Sequence, residues 1–252
     1  MMKRLTWVIA AVLALASPSF ATDISAMNAD ETDAFRAAVR AYLMDNPEVL
    51  LEAIAVLEQR EAEAQAANDD TLVAVNAEAL FNDGYSYIEG NLEGDVTIVE
   101  FVDYNCGYCK RAFPEVKELL ATDGNIRLIL KEFPILGEAS VLASRFAIST
   151  QILFGDAAYG AVHDTMMTMR GTITPETLLT LANGLDLDGQ AILDGMENPA
   201  VNQIIGQNHA LAQRMQISGT PSFVVGNEML RGYLPLESMQ QVVAQARATA
   251  GE

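Results

Sequence analysis

Apolar and polar positions alternate along this chain with two different periods, and the change of period divides it. From residue 30 to residue 80 the apolar positions recur at helical spacing, with Phe35, Val39, Tyr42 and Leu43 on one stripe. The segment Asp45-Asn46-Pro47-Glu48 breaks that stripe. Asn46 is a candidate cap, Pro47 suits a first helical position, and Glu48 favours the positive end of a helix dipole. A second stripe follows at Leu50, Ile54 and Leu57 and passes into an Ala-, Glu- and Gln-rich run over Glu61–Ala67. A long helix with so narrow a stripe buries little by itself and must pack on something. Two occupants stay open at this stage, the body of the same chain or further copies of the stalk, as in a short coiled-coil seam.

From about Phe81 the period shortens. Asn82-Asp83-Gly84 and Glu93-Gly94-Asp95 are turn signals that bracket a short strand at Tyr85–Glu89. Val96–Val102 is a nearly continuous β-branched and aromatic run, the pattern of a strand buried on both faces, interrupted only by Glu100. A helix is expected from near Cys106 to about Leu120, with Gly124 as its stop, and a second strand over Ile126–Phe133. Strand, helix, strand at this spacing is a βαβ unit with parallel strands. Between Pro134 and Gly219 the pattern is helical again, with helices at Glu138–Phe154, Ala157–Met169, Pro175–Asn183 and Asp188–Met215. So long a stretch is not a loop, so it reads as an inserted helical subdomain at about residues 138–215. A hairpin of Ser222–Val225 and Met229–Arg231 and a closing helix at Leu236–Ala248 complete an α/β fold.

Composition then narrows the setting. Met1-Met2-Lys3-Arg4, the apolar run Leu5–Ala16 and the small residues before Ala21 read as a secretory signal peptide cut after Ala21, since the run is well short of the ~20 residues a bilayer needs. The expected organisation is therefore a signal peptide at 1–21, a helical stalk at 22–80 and a catalytic domain at 81–252, in a protein exported to a periplasm. Without Lys3 and Arg4 the chain keeps 13 basic against 34 acidic residues, a net charge of −21. Nucleic acid is a poor partner for such a surface.

The chain has two cysteines, Cys106 and Cys109. A disulfide across two intervening residues constrains the unfolded chain very little, so a structural staple is a weak explanation for them. A thiol at a helix N-terminus meets unpaired backbone N–H groups and the positive end of the dipole, which favour thiolate. Cys106, expected to be exposed at the tip, is therefore the candidate nucleophile, and Cys109, one turn further in, the resolving thiol. A carboxylate inside a run as apolar as Val96–Val102 is costly to bury in charged form, so Glu100 is a candidate proton acceptor and donor for Cys109, against the alternative of a strand-end glutamate reaching solvent. Ser218-Gly219-Thr220-Pro221, directly before a strand, is a place where a cis peptide can occur.

These motifs, in this order, resemble the DsbA-like branch of the thioredoxin fold over roughly Tyr85 to Ala248. Cys106-Gly107-Tyr108-Cys109 opens the first helix, Thr220-Pro221 precedes a later strand, and Pro114 matches the family's helix-kinking proline. The resemblance implies that Glu100 is the buried proton shuttle, that Pro221 is cis and faces the thiols, and that Thr220 offers backbone hydrogen bonds to substrate. Asn46-Pro47-Glu48-Val49-Leu50-Leu51-Glu52-Ala53-Ile54 resembles the stalk of the suppressor-of-copper-sensitivity C proteins, some of which oligomerise through it. Gly107-Tyr108 replaces the Pro-His of strongly oxidising members, and Thr220 stands where they have Val. Both departures resemble the isomerase and reductase types. The expected partners are cysteine-containing exported proteins, a membrane redox protein that resets the thiols, and further copies of the chain; no cofactor is expected.

Three rival functions are weaker. Zinc would need two more ligands, and His163 and His209 each stand alone in helical stretches. Copper(I) suits thiolates and thioethers, and Met166, Met167, Met169, Met196 and Met215 could supply the latter, but methionines at helical spacing ordinarily fill a core. A scaffold with relic thiols sits poorly beside an intact set of Cys106, Cys109, Glu100 and Thr220-Pro221.

Overall fold

The computed structural model describes residues 26–250. The expected signal peptide and its cut after Ala21 lie outside the described residues. The chain divides into two compact units, Met1–Gln59 and Arg60–Glu252. Helix α1 (Ala29–Asp45) and most of the first half of α2 (Glu48–Val75) belong to the first. Asn28 begins α1 with a reciprocal capping box to Glu31. Asn46, expected to open the second helix, instead closes the first: its side-chain Nδ2 donates to the Tyr42 carbonyl at 2.8 Å. The Asn46 backbone N–H donates to the same carbonyl at 2.8 Å, so both bonds close the last turn of α1. Nothing in α1 is buried. Leu51 is 69% exposed, and Tyr42, Ile54 and Leu57 are exposed as well.

The second unit is built on a five-stranded sheet in the order β1-β3-β2-β4-β5. Its strands are β1 (Tyr87–Gly90), β2 (Val96–Val102), β3 (Ile126–Glu132), β4 (Ser222–Val225) and β5 (Glu228–Arg231). β2 and β3 are parallel, as the βαβ spacing predicts, while β1 runs antiparallel to β3 and β4 antiparallel to β2 and β5. The helices α3 (Ala77–Phe81), α4 (Gly107–Asp123), α5 (Glu138–Phe154), α6 (Asp156–Thr168), α7 (Pro175–Gly184), α8 (Gly189–Gly195), α9 (Pro199–Arg214) and α10 (Leu236–Ala250) surround it. The helix expected over Asp188–Met215 is thus two. Pro199 has no N–H to give to the preceding turn, and Asn198 caps the new helix by accepting from the Ala200 N–H.

Strand alternation sends successive side chains to opposite faces. Val99 and Phe101 of β2 join the core formed with Val73 of α2, Leu80 of α3 and Leu211 of α9. Val96, Ile98 and Val102 join the core that contains Cys109, Ala112 and Val116 of α4. Glu100 shares their parity and therefore belongs to the α4 face. It stands between Leu130 of β3 and Phe223 of β4 in the strand register, both members of that same apolar core.

Candidate active site

The turn between β2 and α4 places the first thiol. Cys106 is the N-cap residue of α4, in extended conformation, and its own N–H donates to the Asp103 carbonyl at 3.1 Å. The Asp103 carboxylate is fully buried and accepts from the backbone N–H groups of Asn105 at 2.8 Å, Ile135 at 2.9 Å and Leu136 at 3.1 Å. Asp103 thus ties the turn before the thiol to the loop after β3. Pro114 lies inside α4, which ends at Gly124 with a φ of 71°. That left-handed cap is one glycine adopts without strain.

The second half of the site arrives from the far end of the chain. β4 runs antiparallel to β2, with Ser222 opposite Phe101. The residues before Ser222 are therefore carried to the end of β2 where α4 begins. The Thr220-Pro221 peptide bond is cis. The Cys106 thiol donates to the Thr220 carbonyl at 3.2 Å across 114 residues of sequence. Thr220 Oγ1 is buried without a hydrogen-bond partner, which leaves its proton free for an ionised Cys106. Tyr108 projects beside the thiol and is 61% exposed, whereas a side chain on Gly107 would meet open space. No steric rule demands glycine there, so its effect is to leave the approach to Cys106 bare.

The electrostatics of the two thiols diverge. Cys106 is held down to about 5, first by the Cys109 thiol donating to its sulfur, then by the Thr220 hydroxyl and the N–H groups of Cys109 and Tyr108; burial opposes them. Cys109 is pushed up strongly, because its proton is engaged by Cys106 and because it is buried near the Glu100 carboxylate. Glu100 is 4% exposed. Burial, then the charges of Glu89 and Cys106, push its carboxyl up to about 8. Cys106, Cys109, Gly107, Tyr108, Thr220 and Pro221 therefore come together, with Glu100 beneath them on the sheet, and both cysteines are present as free thiols.

Other candidates go elsewhere. Met166, Met167 and Met196 pack in the α4-face core and Met215 in the core of the opposite face, so the methionines are divided between two apolar layers. His209 packs its ring 4.9 Å from that of Phe133. His163 is buried behind the thiol turn, where it is hydrogen bonded rather than merely packed. Asp103 and Tyr233 escape a sequence-only analysis. For Asp103 the signal was present, an Asx residue in a strand-to-helix turn. For Tyr233 there was none: the Arg111 guanidinium lies 4.4 Å over its ring and Tyr108 is 6.4 Å away, contacts made between distant segments.

A sheet of this order with a dithiol capping the helix after β2 and a cis proline opposite defines a protein of the thioredoxin class with redox-spaced thiols. A family profile described as a DSBA-like thioredoxin domain matches residues 97–244, and the chain belongs to that family. A second profile, described as the copper resistance protein ScsC N-terminal domain, matches residues 31–64. Among solved structures, the chain is 42% identical to a thioredoxin-like oxidoreductase from Silicibacter pomeroyi, covering 68% of this chain and 97% of that one with a TM-score of 0.64. It is 28% identical to Salmonella enterica Typhimurium BcfH, covering 86% and 96% with a TM-score of 0.70. It is also 28% identical to Proteus mirabilis ScsC in a transitional conformation, covering 89% and 99% with a TM-score of 0.64. The fold is that of the DsbA- and ScsC-like thiol–disulfide oxidoreductases. The chain spans only about a quarter of the curated relatives it matches, among them Na(+)/H(+) antiporter NhaA 1 of Salinispora arenicola, at 30% identity over 162 residues. Among the described residues no helix is long and apolar enough to cross a membrane.

Proposed function

We propose that this protein is a periplasmic thiol–disulfide oxidoreductase that exchanges disulfides with exported proteins through Cys106 and Cys109, as an isomerase or reductase rather than a dedicated oxidase. The observation that carries the exchange chemistry is the geometry, with Cys106 capping α4 3.2 Å from the Thr220 carbonyl and Cys109 buried one turn inside. The split between a lowered Cys106 and a raised Cys109 agrees with it. The isomerase or reductase direction rests on Gly107-Tyr108 and Thr220. At neutral pH Cys106 is a thiolate and attacks a substrate sulfur. The substrate S–S bond breaks, a mixed disulfide forms, and the departing substrate thiolate takes a proton from solvent.

Two outcomes follow. If another substrate thiolate attacks the mixed disulfide at the substrate sulfur, a new substrate disulfide forms and Cys106 leaves as thiolate; the electron count of the substrate is unchanged, which is isomerisation. If Cys109 attacks Cys106 instead, the enzyme disulfide forms and the substrate leaves with two electrons, which is reduction. The second route needs Cys109 to lose its proton. Capture of Cys106 removes both the acceptor that holds that proton and one of the negative charges that raise Glu100. Glu100 then ionises more readily and accepts the proton across the α4 face. Thr220 and Pro221 supply the backbone edge beside the bound substrate, and Gly107 and Tyr108 the approach to it.

The helices of the first unit associate with copies of themselves, and a membrane redox protein returns the dithiol to its working state. The test uses the full chain. Reduced protein should restore activity to a scrambled multi-disulfide substrate, and Cys106→Ser should abolish that recovery. The reduction potential of the pair separates oxidant from reductant; a strongly oxidising value would overturn the isomerase assignment. A second function, Cu(I) binding by the same thiols in copper tolerance, is favoured by the ScsC N-terminal match alone. Tight Cu(I) binding lost in Cys106→Ser, with no substrate recovery by wild type, would decide for it.

A further inference from the structure

Behind the thiol turn lies a second buried acid that the exchange chemistry does not use. Glu132 ends β3 opposite Val102, the last residue of β2, and lies on the α4 face two residues beyond the partner of Glu100. It is buried, with no cation paired to it among the described residues. Its partners are hydroxyls. Tyr104 Oη donates to Oε1 at 2.7 Å, Tyr159 Oη to Oε1 at 2.5 Å, and Ser144 Oγ to Oε2 at 2.6 Å. Its backbone carbonyl accepts from Asn208 Nδ2 at 3.0 Å. Four elements thus meet at one residue: the β2–α4 turn, α5, α6 and α9.

Tyr104 is the link to the thiols. It is fully buried two residues before Cys106, between Asp103, whose carbonyl accepts the Cys106 N–H, and Asn105, held by the Asp103 carboxylate. Its hydroxyl has one proton to give. Given to Glu132, it leaves an oxygen lone pair to accept from His163 Nδ1, 2.9 Å away. With that assignment His163 is the neutral tautomer protonated on Nδ1. Every hydroxyl proton in the cluster then points at Glu132.

An unpaired buried carboxylate costs several kcal/mol, and apolar side chains of similar volume fill such a layer at less cost. The return must lie in what the carboxylate holds still. We propose that Glu132, acting through Tyr104, is a positioning residue of the dithiol site that ties the helical insertion to the turn presenting Cys106. The favoured thiolate depends on the sulfur standing in register with the N–H groups of Tyr108 and Cys109 and with Thr220, and Tyr104 anchors the turn that sets this register. The inserted helices α5 and α6 are, through Ser144, Tyr159 and His163, part of the support of the thiol.

The proposal rests on the exchange chemistry only in taking Cys106 as the reactive thiol, and the experiment separates the two. The rate of iodoacetamide alkylation of the reduced full chain is followed against pH; Cys109, with no exposed surface and its thiol pushed up, does not compete. A wild-type midpoint at that of an ordinary thiol would overturn the exchange chemistry itself. Given a low wild-type midpoint, Tyr104→Phe, which keeps the ring, and Glu132→Leu should each raise it by about one pH unit. Ser144→Ala should raise it less, and Glu132→Gln, whose amide oxygen still accepts from both tyrosines, should stay near wild type. A midpoint unmoved in Tyr104→Phe and in Ser144→Ala, with only thermal stability reduced, would show a purely structural cluster. Midpoints lowered alike in Glu132→Gln and Glu132→Leu would show that negative charge, which opposes the thiolate, and not positioning is what Glu132 contributes.

Discussion

Cys106 and Cys109 are the same chemical group three residues apart, and their environments drive them in opposite directions. Both are buried, against the expectation of an exposed first thiol: Cys106 is 6% exposed at the N-cap of α4 among donors, and Cys109 is fully enclosed one turn inside. Alkylation of the reduced protein should therefore proceed with a midpoint near pH 5, and a midpoint above 8 would contradict the assignment. Glu100 gives two further expectations. Glu100→Gln should slow thiol–disulfide exchange by at least about tenfold while the fold is kept, since the substitute cannot take a proton. An unchanged exchange rate would remove Glu100 from the chemistry. The second concerns stability. Its carboxyl is raised from 4.5 to about 8 in the folded chain, so the folded state holds a proton that the unfolded state releases first. Stability from this group is complete below pH 4.5 and is lost as pH rises toward 8. Wild-type thermal midpoints should accordingly fall across that interval, and those of Glu100→Gln should fall less. Cys106, Cys109 and Glu100 were each legible in the sequence, because a helix start and a strand run are local patterns. Of Asp103 only the local half, an Asx turn before the helix, was legible, and Tyr104 and Glu132 were not, since their roles consist of hydrogen bonds to residues tens of positions away.

Elements differ in how much of themselves the sequence announces. β2 falls at Val96–Val102 as its nearly continuous β-branched and aromatic run predicts, because a strand covered on both faces is apolar up to its ends even with Glu100 inside it. The break between α8 and α9 was also written locally, in Asn198-Pro199, yet the long helical period on either side masked it. The second half of α2 shows what periodicity cannot supply. Asp69 is buried, and Arg231 of β5 grips it with both terminal nitrogens at 2.7 and 2.8 Å. This fork links a helix to a strand 162 residues away. Arg231→Ala should cost about 1–3 kcal/mol by stranding the buried carboxylate, a cost tempered by the partial exposure of the arginine. Thermal unfolding with and without the second change Asp69→Ala checks it: the double variant should recover part of the loss, and no recovery would show that the pair is not coupled.

At the scale of the whole molecule the two units make different demands. The second has its own layered core on both faces of a sheet. The first leaves its apolar stripe exposed, with Tyr42, Ile54 and Leu57 each more than half exposed and Leu51 and Met44 beside it at 69%. Stalk self-association should therefore be lost in a Leu51→Glu, Ile54→Glu double variant, seen as a fall to monomer mass in light scattering. Exchange with a small disulfide should persist at the wild-type rate, and recovery of a scrambled protein should decline. A wild type that is already monomeric would retire the stalk as an assembly device. The sequence alone determined most of the elements though not every boundary between them, the α/β class, the identity of the two thiols and the apolar stripe of the stalk, because helical and strand periods and a cap at a helix start are properties of neighbouring residues. Only the tertiary structure decided that β4 returns Thr220 to within 3.2 Å of Cys106, that Glu100 faces α4, and that Glu132 gathers hydroxyls from three separate elements. Those relations are set by strand register and packing across the sheet, and no window along the chain contains both partners.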